Sequence, residues 1–141
     1  MKMGQKIKDY LVTLAANDAL PLDMNQLDAS IFDKLFESNS KCIDLIGYTG
    51  IPIRACFIKS GTQRPNFPNV APVQGSLVEF YDKRYPFTPD GQFIGEYYAE
   101  TLLESSRDSG LNLNAGIPDW KIGVDAKKLV MDWVKEIGGV E

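Results

Sequence analysis

The sequence of 141 residues contains no histidine. That absence removes Ser-His-Asp and Cys-His nucleophilic machinery, His-ligated zinc, haem held by a proximal histidine and the usual proton shuttle at neutral pH. Cysteine is scarce as well. Cys42 and Cys56 are the only two, they are not spaced as CxxC, and two thiolates without histidine make a poor zinc site unless carboxylates complete it. No catalytic residue, metal or cofactor is expected. GxGxxG, Walker A and metalloprotease-helix patterns are all missing, so nucleotide chemistry has no positive support. No uninterrupted run of about 18 apolar residues exists to cross a bilayer. Within residues 1–20, Asp9, Asn17 and Asp18 break up the apolar stretch that an export signal would need. A cytoplasmic protein without membrane contact is expected. Cations are the minority charge, 15 against 19 acids for a net charge of −4, which disfavours phosphate backbones and favours a basic protein partner.

What is present fits one globular domain over 1–141, with 44% hydrophobic and 24% charged residues. Ile7, Tyr10, Leu11 and Leu14 recur at helical spacing within residues 6–16. Asp28 or Ser30 can cap a second, shorter helix carrying Ile31, Phe32, Leu35 and Phe36. Residues 41–60 read as a hairpin whose register can be argued. A three-residue loop, Tyr48-Thr49-Gly50 with Gly50 left-handed, sets Ile43 against Ala55 and Leu45 against Ile53 on one apolar face. The other face then pairs Asp44 with Arg54 and Cys42 with Cys56. A two-residue loop would set Asp44 against Ala55 and mix the faces.

Pro65, Pro68 and Pro72 punctuate residues 61–75, a long ordered loop or lid whose large anchors are Phe67 and Val70. Residues 76–81 predict a third strand buried on both faces. Thr88-Pro89-Asp90 resembles a helix start, with Thr at the N-cap, Pro at N1 and an acid at N2, so a third helix is expected to run to about Ser105. Leu111-Asn112-Leu113 has the alternation of a short strand, Gly116-Ile117-Pro118 reads as a turn, and Trp120-Lys121-Ile122 reads as either another short strand or an irregular anchor. A final helix, capped by Asp125 and stopped by Gly138-Gly139, carries a Leu129, Trp133, Ile137 ridge thickened by Val130 and Val134. The expected class is α+β: a small, mainly antiparallel sheet made of a β-hairpin plus a third strand, with about four helices packed against it.

On the expected third helix, Glu96, Glu100 and Glu104 fall on one line bordered by Phe93 and Tyr97. Carboxylates flanked by rings suit the reception of Lys and Arg side chains. The competing reading makes this an ordinary solvated face with both rings in the core. The neighbouring turn adds Arg84 and Tyr85, whose mixture of cation and ring could contact single-stranded nucleic acid, but its acidic flanks argue against direct binding. A non-catalytic protein-binding module, an inhibitor or adaptor using these seven residues against a basic, nucleic-acid-handling partner, is the leading expectation. The alternative is a small-ligand-binding domain or an enzyme independent of histidine, with the 61–75 loop as lid and Asp44, Arg54 and Tyr81 lining the pocket. Cys42 and Cys56 come within disulfide reach in the favoured register, yet read as reduced, structural thiols.

Overall fold

A computed structural model describes residues 41–114 and 117–138. The two helices expected before residue 41 lie outside the described residues. Strand β1 (Cys42–Ile46) and strand β2 (Pro52–Ile58) form the hairpin. Its register sets Cys42 against Cys56, Ile43 against Ala55, Asp44 against Arg54 and Leu45 against Ile53, as the three-residue loop requires. The loop is tighter than the sequence suggests, because Thr49 joins Gly50 in the left-handed region, with φ of 63° and 84°. A β-branched residue rarely goes there, and the Thr49 hydroxyl donates across to Asp119 at 3.1 Å. Pro52 ends the ladder. Its carbonyl accepts from the Lys83 N–H at 3.0 Å, while its own missing N–H leaves no further bond to make.

Strand β3 (Leu77–Asp82) pairs antiparallel with β2, and every one of its residues is buried. Strand β4 (Gln92–Tyr98) completes a four-stranded antiparallel meander in the order β1-β2-β3-β4. This corrects the expected fold. The segment read as a third helix is mostly strand, and only α1 (Ala99–Glu104) is helical there. A small antiparallel ribbon follows, from β5 (Leu111–Asn112) and β6 (Lys121–Ile122). The last element is α2 (Val124–Gly138), with Asp125 in its first turn. Among the described residues there are two helices, six strands and two sheets, where about four helices and a three-stranded sheet were expected.

The misreading has a physical cause. A threonine hydroxyl that accepts N–H groups two and three residues on serves a turn as well as a helix cap. Thr88 Oγ1 accepts from the N–H groups of Asp90 (3.1 Å) and Gly91 (3.2 Å), but the chain then doubles back, with Thr88 and Gly91 exchanging backbone bonds. Gly91, at φ 122°, lies outside any helical conformation. A bulge between Phe80 and Tyr81 then pairs Phe80 with Gly95 and Tyr81 with Phe93, leaving Ile94 as the extra residue of β4.

The meander has two unlike faces. Toward α2 and the ribbon it presents Ile43, Leu45, Ile53, Val78, Phe80 and Ile94, which meet Leu129, Val130, Trp133 and Val134 in the main core. Each large side chain so buried contributes about 1.5–3 kcal/mol. Lys127, fully buried on α2, donates its ammonium to the Ser106 carbonyl and to the Ser109 hydroxyl, tying the segment after α1 to this helix. The opposite face carries Cys42, Asp44, Arg54, Cys56, Glu79 and Tyr81, and residues 59–76 lie over it. The base of that loop is fixed by backbone bonds from Gly61 to Val73 and from Val73 to Thr62. Ile58, Val73 and Leu77 seal it with a small apolar cluster. Val73 is therefore the second anchor beside Phe67, whereas Val70 is 45% exposed. No helix among the described residues is long and apolar enough to cross a membrane.

Candidate functional site

Strand alternation brings Asp44, Arg54, Glu79 and Tyr81 of β1, β2 and β3 to the loop-covered face. There they form one continuous polar network. Arg54 grips Asp44 with Nε and Nη2, at 2.7 and 3.2 Å, and reaches Asp90 with Nη1 at 3.2 Å. Lys83 adds a third donor to Asp44 at 2.8 Å. Asn66, from the loop, donates to both Asp90 (2.9 Å) and the Tyr81 hydroxyl (3.1 Å), and that hydroxyl donates to Glu79 at 2.8 Å. Arg64 closes the chain at Glu79 Oε2, 2.5 Å away, with its guanidinium 4.3 Å from the Phe67 ring centre.

The role of Arg64 follows from register. Glu79 and Glu96 sit directly opposite each other on β3 and β4, a destabilising pair of like charges. Arg64 stands between them, with Nη2 3.5 Å from Glu96. Its cation is the neutralising charge that lets Glu79 be fully buried. Elsewhere in the network, the Asp44 carboxylate raises the pKa of Arg54 above its already high value, so that guanidinium stays charged. Burial, with the hydrogen bond to Glu79, pushes the Tyr81 phenol up, although the Asn66 bond opposes this, so Tyr81 stays neutral.

At one end of the network the Cys42 and Cys56 sulfurs approach to 2.8 Å, both as thiols. The hydrogen bond shared by the two sulfurs pulls Cys42 below the ordinary thiol range against the effect of burial, and the same bond, with burial, pushes Cys56 up. An Asp90 carboxylate oxygen lies within 4.8 Å of both sulfurs. This trio could hold a metal by donor type, but its geometry fits poorly. Two sulfurs on one zinc, each about 2.3 Å from it, lie about 3.8 Å apart, and both Asp90 oxygens already accept from Arg54 and Asn66. Beside the thiols opens a cavity of about 490 Å³, walled by Pro65, Asn66, Thr62 and Asp90.

The residues expected to bind a partner do not form one line. Glu96 is on β4 and paired with Arg64, while Glu100 and Glu104 remain one turn apart on α1. Phe93 packs edge-on against Phe67 and Tyr81, with centroids at 5.1 and 5.8 Å. Tyr97 stands edge-on to Phe80 and donates its hydroxyl to the Asn112 carbonyl at 2.6 Å. Tyr97 is half-buried against the main core and Phe93 is half-buried on the opposite, loop-covered face, so the two rings are not together in the core as the competing reading has them. Arg84 is held by Asp82 through Nε and Nη2 and lies 5.1 Å from the Tyr85 ring centre, with Tyr85 exposed at the β3–β4 turn.

A second depression, of about 840 Å³, lies between α1 and residues 74–76. Tyr98, 56% exposed, lines it together with Glu100, Glu104 and Lys135. Neither Glu100 nor Glu104 makes an ion pair among the described residues.

Asp44, Arg54 and Tyr81, expected to line a pocket, come together in the network, but none of them lines the cavity beside the thiols; sequence reasoning gave no site role to Glu79, Asp90 or Tyr98. Glu79 carried a usable signal: a carboxylate between Val78 and Phe80, in a strand buried on both faces, demands a cation. Comparisons with protein-family models, with curated proteins and with solved structures each find no match to this chain.

Proposed function

We propose that the protein is a non-catalytic binding module of the cytoplasm, an inhibitor or adaptor, that receives basic side chains of a protein partner at the groove beside α1. The observation that carries this reading is the groove's composition. Glu100 and Glu104 sit one turn apart on an exposed helix face, without ion pairs among the described residues, next to the half-exposed ring of Tyr98. Unpaired carboxylates steer and align a cationic partner, and an exposed aromatic supplies the anchor that slows its departure. Tyr85 and Arg84, on the far turn of the meander, form a separate contact.

The alternative, a ligand pocket under the 61–75 loop, is weakened by saturation. Asp44, Arg54 and Tyr81 spend their donors and acceptors on each other, on Lys83, on Asp90 and on the loop's Asn66. A ligand there would have to displace strong charge-assisted bonds.

The test is a binding trace. The immobilised chain is used to isolate its partner from the native host, and association is then measured for wild type, E100Q/E104Q and Tyr98→Ala. The double variant is expected to slow association about tenfold at low salt, and Tyr98→Ala to speed dissociation, with both melting as wild type does. Unchanged rates in the double variant at low salt would end the proposal.

A further inference from the structure

The thiols of the polar face lie outside the groove beside α1, and the hairpin register sets them face to face. Cys42 and Cys56 face each other across β1 and β2 at a position flanked by a hydrogen-bonded pair, since the Phe57 N–H bonds the Lys41 carbonyl at 2.7 Å. Alternation makes the cysteine pair a non-hydrogen-bonded one, in which facing Cα atoms come within about 4.5 Å. That separation falls in the range of about 4.4–6.8 Å that a disulfide accepts without backbone movement. The sulfurs already stand 2.8 Å apart. The two thiols also differ in access: Cys56 is buried at 5% exposure, whereas Cys42 is half-buried, and the cavity of about 490 Å³ opens beside the pair.

We propose that Cys42 and Cys56 form a thiol–disulfide exchange site that takes low-molecular-weight disulfides, with Cys42 as the attacking thiol and Cys56 as the resolving one. Cys42, once deprotonated to its thiolate, attacks one sulfur of the incoming disulfide. The disulfide's S–S bond breaks, one half leaves as a thiolate with the bonding electron pair, and a mixed disulfide remains on Cys42. The departing thiolate takes the proton of Cys56. The Cys56 sulfur then attacks the Cys42 sulfur, a cross-strand disulfide forms, and the second half leaves as a thiolate. The protein loses two electrons, the small disulfide gains them and becomes two thiol-level molecules, and one proton moves between them. The reverse sequence, driven by a small thiol, restores the dithiol. The greater exposure of Cys42 beside the cavity, against the burial of Cys56, favours it over Cys56 as the attacking group.

The experiment uses the full reduced chain, with oxidised and reduced glutathione as the probe couple. Intact mass after acid quenching and alkylation reads each species. Wild type is expected to take up two alkyl groups when reduced, none in oxidising mixtures, and two again in reducing ones, with little mixed disulfide at any time. Cys56→Ser is expected to trap glutathione on Cys42, and Cys42→Ser to react about tenfold more slowly than wild type. Wild type that accumulates a lasting mixed disulfide, or that forms the internal bond only in denaturant, overturns the proposal. So does retention of stoichiometric zinc that blocks the exchange, which would make the trio with Asp90 a metal site instead. The wild-type titration decides the matter even if Cys56→Ser fails to fold, and Cys56→Ala then repeats the trapping arm.

Discussion

Asp82 is a carboxylate on the core-facing side of the sheet, fully buried, and its environment decides whether that burial is tolerable. Burial alone would raise its pKa. The Arg84 side chain, the Arg84 backbone N–H and the Trp120 indole N–H, the last at 2.9 Å, together outweigh burial and hold the group below the usual carboxylate range. A carboxyl whose folded pKa lies below its unfolded value of about 3.9 binds more protons when unfolded. Its stabilising contribution is complete above that unfolded value and is lost as pH falls through the folded one. Asp82→Asn is therefore expected to cost about 1–3 kcal/mol at pH 7, since it weakens charge-assisted bonds to Arg84 and Trp120. The difference between the two proteins should shrink below about pH 4. Urea denaturation at a series of pH values reads this directly, and parallel stability curves would show that the Asp82 charge contributes nothing.

At the scale of elements, β4 shows where pattern and fold part company. Residues 92–98 satisfy a helical period and a strand period at once, because Ile94, Tyr97 and Tyr98 give short apolar runs that either geometry accommodates. The deciding residues are glycines. Gly95 in a helix would cost about 1 kcal/mol for no return, but in the strand it lets the chain just after β5 approach: a Cβ there would stand 2.5 Å from the Leu113 carbonyl oxygen. Gly95→Ala is expected to force β4 and the ribbon apart and to lower the melting temperature, while an alanine in an ordinary helix would raise it. The hairpin was legible because Asp44, Arg54 and the two cysteines fix its register by complementarity, a test that one strand alone never offers. The loop's role was not legible, since Arg64 acts on Glu79 and Glu96, two residues from different strands whose opposition exists only once the sheet forms. The same reasoning makes a prediction about how loop and sheet depend on each other. Arg64→Met should destabilise by about 3–5 kcal/mol, because it leaves a buried, unneutralised carboxylate. Adding Glu79→Leu should recover most of that loss, and a double-mutant cycle by denaturation checks the coupling. Additive losses would mean that Arg64 acts chiefly by packing on Phe67 and Phe93.

For the whole molecule, burial divides the charges into two populations with different responses to salt. Asp44, Glu79 and Asp82 are buried and paired with Arg54, Arg64, Lys83 and Arg84, so counterions reach them poorly. Glu100 and Glu104 lie on the exposed face of α1, open to the Debye atmosphere, whose length is about 10 Å at 0.1 M salt and about 3 Å at 1 M. Raising salt should then change folding stability little while slowing partner association steeply. E100Q/E104Q should behave in low salt as wild type does in high salt, and its melting point should match or slightly exceed that of wild type, because like charges four residues apart oppose each other by a few tenths of a kcal/mol. Thermal melts and association rates across a salt series measure both quantities in the same buffers. Tyr97→Ala provides the contrast: its ring packs on Phe80 and its hydroxyl holds the ribbon at Asn112, so its loss should lower the melting point, with an effect of about 3 kcal/mol. If Tyr97→Ala melted as wild type and instead changed the dissociation rate, the partner would be gripping the β4 ring and not the groove beside α1.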